Sequence, residues 1–172
     1  MWSFDYRRAL QIAATLAAAA VLAGCGFHLR GQVDYPFQTI YVNAPTAPTF
    51  AAAVKRSIEG SGSAKTVEAP ADAQVILDIP AVVDDKSVLS LSGGGRVREY
   101  ALSKRVAFVL HDTAGRDWLP AGEITVRRTY SFNESEVLAR EAQEQKLLGE
   151  MQTDAVQQVS RRLQAAKKPA AQ

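Results

Sequence analysis

Apolar and polar residues alternate over two stretches in the second half of the chain, and the alternation predicts two half-buried strands. Across residues 98–110 the even positions Tyr100, Leu102, Val106, Phe108 and Leu110 are apolar, while Glu99, Ser103 and Arg105 take odd positions. A period of two sends the two sets to opposite faces of a sheet. Across 123–132 the same pattern recurs, with Ile124, Val126, Tyr130 and Phe132 on one side and Glu123, Thr125, Arg127, Thr129 and Ser131 on the other. The intervening 111–117, His-Asp-Thr-Ala-Gly-Arg-Asp, suits a hairpin connection. Lys104 and Arg128 break the alternation, since each lies on the apolar parity of its strand. An unpaired buried charge costs several kcal/mol, so the strands run past the core, a bulge resets the register, or the charges are paired. The first two are favoured.

A third strand is predicted at 75–79, where Val-Ile-Leu-Asp-Ile ends at Pro80, a residue expected at a strand end, an edge or a bulge. Residues 82–91 are β-prone, but Asp84-Asp85-Lys86 reads as a turn within them. Residues 37–43 read as a further strand, and 65–68 as a possible short one. Between these two, Phe50, Val54 and Ile58 recur at four-residue spacing, predicting a helix capped by Thr49 and stopped by Gly60 and Gly62. A longer helix is expected over about 135–165, where Asn133 and Glu136 resemble a capping box and Leu138, Ala142, Leu148, Met151, Ala155, Val159 and Leu163 form one stripe. Strands in succession flanked by two helices predict an α+β fold, with both helices packed on one face of a mostly antiparallel sheet of about four main strands.

The N-terminus follows a different logic. Arg7 and Arg8 precede an uncharged apolar run that ends in Leu22-Ala23-Gly24-Cys25, which contains the sole cysteine. A basic start, a short apolar stretch and small residues before a cysteine make a lipoprotein signal peptide. Residues 1–24 are read as a removed leader and Cys25 as the lipidation site, its thiol joined to diacylglycerol and its freed amino group to a further acyl chain. Two or three chains anchor a protein stably, whereas one binds only marginally. Residues 25–36 then form a lipidated tether, 37–166 a single domain, and 167–172 a disordered tail. Gly26 follows Cys25 where, by analogy with enteric lipoproteins, an Asp would retain the protein at the inner membrane.

The whole chain carries 20 Lys and Arg against 18 Asp and Glu. Near-neutrality argues against a general polyanion coat, so nucleic acid is not an expected partner. With Cys25 acylated no thiol remains for a disulfide, and no cofactor or metal is expected beyond the acyl groups themselves. Charge is unevenly placed: Arg96, Arg98, Lys104, Arg105, Arg127 and Arg128 cluster along the predicted strands. They are the candidates for an anionic ligand, with solvation or pairing to Glu99 and Glu123 as the alternative. Gly93-Gly94-Gly95 lacks the lysine and following helix of a phosphate loop.

Taken in order, Leu22-Ala23-Gly24-Cys25-Gly26-Phe27-His28-Leu29-Arg30-Gly31, Gly95-Arg96-Val97-Arg98-Glu99-Tyr100 and Arg128-Thr129-Tyr130-Ser131-Phe132, leading into a Glu-rich helix, resemble the LPS-assembly lipoprotein LptE family, also called rare lipoprotein B. The resemblance covers essentially the whole mature chain. It implies an outer-membrane lipoprotein facing the periplasm and seated as a plug within the LptD β-barrel. It further implies help in folding that barrel and in delivering lipopolysaccharide to the outer leaflet, with lipopolysaccharide as a ligand of the basic candidates. A pilot or accessory subunit of a different outer-membrane channel would share anchor and fold. An anchored hydrolase would have to use His111 with Asp112, because His28 lies in the tether; no Gly-x-Ser-x-Gly elbow accompanies them, and no enzymatic activity is expected.

Overall fold

The computed structural model describes residues 34–131 and 137–169. The leader, Cys25 and most of the tether lie outside the described residues, as do Phe132, the Asn133 and Glu136 capping pair, the side chain of Leu138 and the last three residues of the tail. Five strands form one mixed sheet: β1 (Thr39–Asn43), β2 (Lys65–Thr66), β3 (Val75–Leu91), β4 (Val97–His111) and β5 (Asp117–Ser131). Their spatial order is β2-β1-β3-β4-β5. Helix α1 (Pro48–Glu59) follows β1, and α2 (Val137–Gln164) closes the fold. The α+β class with two helices stands. The possible short strand at 65–68 forms as a two-residue edge strand, and β1 runs parallel to both neighbours, which the intervening helix makes possible.

Three strands are long, and β3 departs most from expectation. It continues without interruption through Asp84, Asp85 and Lys86. These charges lie on a strand that has lost its outer neighbour, because β1 ends opposite Asp78. Pro80 sits where that edge begins and where the β3–β4 register shifts, between Asp78 and Ala81, so its missing N–H leaves no ladder bond unmade. The extra residue exchanges the faces of β3: Val75, Leu77 and Ile79 point to the helices before the shift, whereas Val82, Asp84 and Lys86 do so after it.

The core lies between this face and the helices. Phe50, Val54 and Ile58 of α1 and Met151, Ala155, Val159 and Leu163 of α2 meet Leu102, Val106, Phe108 and Leu110 of β4 and Ile124 and Val126 of β5. The buried stripe of α2 starts later than its sequence spacing suggests: Ala142 is exposed and Leu148 only partly buried. At α1, Pro48 occupies the first turn behind Ala47, and Thr49 is not the cap. The core also reaches both ends of the described domain. Tyr35 is buried and stacks on Phe37 with ring centroids 5.3 Å apart, so the folded domain begins inside the segment expected to be tether. Beyond α2, Ala166 is buried and the Lys167 N–H donates to the Trp118 carbonyl at 3.1 Å, so the segment expected to fray is docked at its start.

Lys104 corrects the reading of the alternation. It lies within the core face at 4% exposure, and its ammonium meets both carboxylate oxygens of Asp84 at 2.6 and 2.8 Å. Asp84 is its direct cross-strand neighbour. The charge is therefore paired rather than carried past the core. Removing the carboxylate leaves a buried cation alone, but Asp84 is half exposed, which reduces the loss below that of a fully enclosed pair. Asp84→Ala is expected to lower stability by about 1–3 kcal/mol in urea denaturation, and combining it with Lys104→Met to recover most of that loss.

Candidate functional site

The six basic candidates do not form one patch. Arg105 and Arg127 share the open face of the sheet, because Arg105 stands opposite Thr125 and Arg127 opposite Ser103, a diagonal relation across neighbouring strands. Asp85, opposite Ser103 on the other side, and Glu123, opposite Ala107, are the further diagonal neighbours of Arg105. This face is thus charge-balanced, with small residues (Ser87, Ala101, Ser103, Ala107) between the charges. Lys104 lies on the opposite, helix-covered face with its charge neutralised. Arg128 lies there too, held by Asp154 of α2 and by a bond to its neighbour's carbonyl, Arg127 O, at 2.9 Å.

Arg96 and Arg98 remain, at the far tip of the β3–β4 hairpin. The turn is defined by three bonds: Ser92 N–H to the Arg96 carbonyl at 2.7 Å, Gly95 N–H to the Ser92 carbonyl at 2.9 Å, and Arg96 N–H to Ser92 Oγ at 3.2 Å. Gly95 has φ of 76°, a conformation that suits glycine, while Gly93 and Gly94 do not require it. The tip also exposes large apolar side chains, Leu89 at 54% and Leu91 at 57%. Apolar surface beside two arginines is the pairing an anionic amphiphile demands. The cations were visible in the sequence. Leu89 and Leu91 were not, because a strand break at Asp84 hid how far β3 projects.

Behind the tip, α2 is fastened to the sheet by Lys86. Its ammonium pairs with Glu144 and lies 4.6 Å from the Tyr100 ring centroid, and Tyr130 Oη donates to the same carboxylate at 2.6 Å. Tyr100 and Tyr130 are themselves stacked cross-strand neighbours. Carboxylate and aromatic faces together hold Lys86 charged, its pKa raised first by the bond to Glu144.

The opposite end of the sheet holds His111 and Asp112, which do not combine as base and orienter. Asp112 is committed to the β4–β5 turn: its carboxylate accepts the N–H groups of Ala114 and Arg116, each at 2.9 Å, and pairs with the Arg116 guanidinium. These donors, the Arg116 N–H foremost, hold its pKa below the ordinary carboxylate range. His111 instead places Nδ1 2.9 Å from the Asp112 backbone carbonyl and Nε2 2.8 Å from Asp78 Oδ2. Both partners only accept, so both ring nitrogens must carry protons, and the imidazolium is the favoured form. Asp78 also receives Asn43 Nδ2 at 2.6 Å, completing a polar chain across β1, β3 and β4.

The His111 pKa is raised, first by the Asp112 carbonyl and then by Asp78. A base whose pKa is higher in the folded state stabilises fully below its unfolded pKa, and that stabilisation is lost as pH rises through the folded value. Stability is therefore expected to fall as pH rises from about 6.5. Asp78→Asn is expected to flatten that slope and move the His111 titration, followed by NMR, back toward the ordinary value.

Comparison with known proteins is consistent across three levels. A family model described as LptE, lipopolysaccharide-assembly, matches residues 37–163. An LPS-assembly lipoprotein LptE of Pectobacterium atrosepticum is 30% identical over 151 residues, covering 85% of this chain and 80% of its own. The solution structure of a lipoprotein B from Nitrosomonas europaea superposes with a TM-score of 0.73 at 38% identity, over 81% of this chain and 91% of that one. A minor lipoprotein of Acinetobacter baumannii shares the fold at 18% identity, with a TM-score of 0.64, over 80% and 99% of the two chains.

Proposed function

Because the chain belongs to the LptE family of lipopolysaccharide-assembly lipoproteins, we propose that it acts in lipopolysaccharide assembly as a noncatalytic outer-membrane lipoprotein. In this reading Cys25 carries the acyl anchor and the domain sits from the periplasmic side inside an LptD β-barrel. There it serves as plug and folding partner and offers lipopolysaccharide a binding site.

The observation that carries this reading is the length and polarity of the β3–β4 hairpin. The fifteen residues of β4 span about 50 Å at roughly 3.3 Å each. That exceeds the roughly 40–45 Å of a bilayer with its headgroups. The chain enters the domain beside the start of β3, where the Gln38 N–H meets Gln74 Oε1 at 2.8 Å, while the tip lies at the other end of the same strand. An anchor in the inner leaflet and a tip near the outer one are compatible only if the domain lies along the membrane normal in a protein-lined passage. At the tip, Arg96 and Arg98 match phosphate, and Leu89 and Leu91 match acyl chains.

The barrel and the ligand are tested separately in cells carrying the full-length protein. Photocrosslinkers at Arg105 and Arg127 on the open face are expected to capture an LptD-type barrel, and crosslinkers at Leu89 and Leu91 to capture lipopolysaccharide. The double substitution Arg96→Glu with Arg98→Glu is expected to weaken lipopolysaccharide binding by the purified protein by at least about tenfold, the effect of one charge-assisted contact. Capture of a different channel would overturn the barrel assignment. Unchanged affinity in the charge-reversed variant would overturn the tip.

A further inference from the structure

The chain ends in a run of uncompensated positive charge. Arg161 and Arg162 in the last turn of α2, and Lys167 and Lys168 beyond it, are all exposed, and no Asp or Glu follows Asp154 in the sequence. Their side chains have no ion pair among the described residues. The helix dipole accounts for cations at 161 and 162, but its influence falls off within the last turn, so Lys167 and Lys168 lie outside its reach.

The fold fixes where these charges stand. Lys167 is held by its N–H to the Trp118 carbonyl, and Trp118 begins β5 next to Asp117, the partner of His111. His111 pairs with Ile76 beside Val75, which pairs with Ile40 of β1. The four cations are therefore carried on the helix side of the end where the chain enters the domain, far from Arg96 and Arg98. The same end also carries Asp34, Glu59, Asp72 and Asp117, so it is not uniformly basic, and the four cations form a group on its helix side.

We propose that Arg161, Arg162, Lys167 and Lys168 form a membrane-facing foot that rests on the anionic phospholipid headgroups of the leaflet holding the N-terminus. The proposal depends on acylation of Cys25, part of the function proposed above. The linker from Cys25 to Asp34 cannot extend beyond about 30 Å at roughly 3.5 Å per residue, which keeps this end of the domain close to the headgroups. Within about one Debye length, some 8 Å at physiological salt, each cation is worth roughly fivefold in attraction to an anionic surface. The foot sets the tilt of the domain on its anchor, because the four cations are grouped at the end of α2 rather than spread around the domain. Lys suits this role, since headgroups present mobile point charges rather than one fixed geometry.

The test uses full-length protein produced with its leader, purified from membranes and reconstituted into vesicles of phosphatidylcholine alone or mixed with phosphatidylglycerol. Flotation reports the anchor, and hydrogen exchange over 160–169 reports the foot. Flotation is expected with both vesicles, but exchange slowed by roughly an order of magnitude only on the anionic ones, with the protection lost at high salt. Replacing all four cations with Gln should remove the protection and leave flotation intact. If that variant does not fold, the salt titration of the unaltered protein decides the same point. Failure to float on neutral vesicles refutes the acyl anchor, whatever the foot does. Flotation with equal exchange on both vesicles overturns the foot alone. Protection by lipopolysaccharide vesicles but not by phosphatidylglycerol, or only when a barrel protein is added, also overturns it, in favour of that occupant.

Discussion

A strand of period two changes the face it offers only where a residue is inserted, and the insertion in β3 between Asp78 and Ala81 determines much of this structure. Before it, odd residues of β3 build the core; after it, even residues do. Without that switch Asp84 would face solvent and Lys104 would be buried without its carboxylate. Lys86 would likewise point away from Glu144 and the two tyrosines. One irregularity at Pro80 thus permits two charged attachments on the helix side of the sheet, one within β3–β4 and one from β3 to α2. Pro80 is tolerated because β1 has already ended, so the bulge and the loss of a neighbouring strand occur at the same place.

The elements with strong periodicity were legible from sequence. The alternation of β4 named its buried residues, and the four-residue spacing of α1 and of the C-terminal half of α2 did the same. Asp84-Asp85-Lys86 misled because charge in an apolar run usually marks a turn, while here tertiary pairing makes it strand. The error then propagated to Lys104, whose partner lay inside the presumed turn. Lys104 and Arg128, on the core parity of their strands, signalled an exception, but the explanation that holds is the disfavoured one, since both are paired. Distance along the chain concealed the partners: Asp154 belongs to a helix 26 residues further on.

The two hairpin turns show how similar backbone bonding arises from different sequences. Ser92-Gly93-Gly94-Gly95-Arg96 and Asp112-Thr113-Ala114-Gly115-Arg116 make the same backbone bonds, each with the last glycine near φ of 76° and an oxygen of the first side chain accepting the arginine N–H. The second is tightened by the charge of Asp112 and its pair with Arg116. The first is closed by the Ser92 hydroxyl in place of a carboxylate and carries two additional glycines. Charge-assisted bonds are roughly twice as strong as neutral ones, so the two ends of β4 differ in firmness although their shapes agree. The turn with the charge-assisted bonds lies where the chain enters the domain, and the one with the hydroxyl at the far tip.

Under the proposed function, this polarity gives the two clusters of positive charge different tasks. Arg96 and Arg98 sit beside exposed leucines on a turn closed by a neutral hydroxyl, where the proposed ligand would meet apolar and cationic surface together. Arg161, Arg162, Lys167 and Lys168 sit on a helix end tied down through Lys167 and backed by buried Leu163 and Ala166, where a fixed surface is offered to a planar partner. Between them the open face of the sheet is charge-balanced, with Val83 and small residues between the charges, a surface that under the proposed function would pack against a barrel wall rather than capture an anion. A single distributed basic patch would attract lipid phosphate along the whole length of the domain and oppose directional transfer. In the proposed arrangement, separating the charges by about 50 Å of neutral sheet gives anionic lipid two distinct places to bind, one at each end.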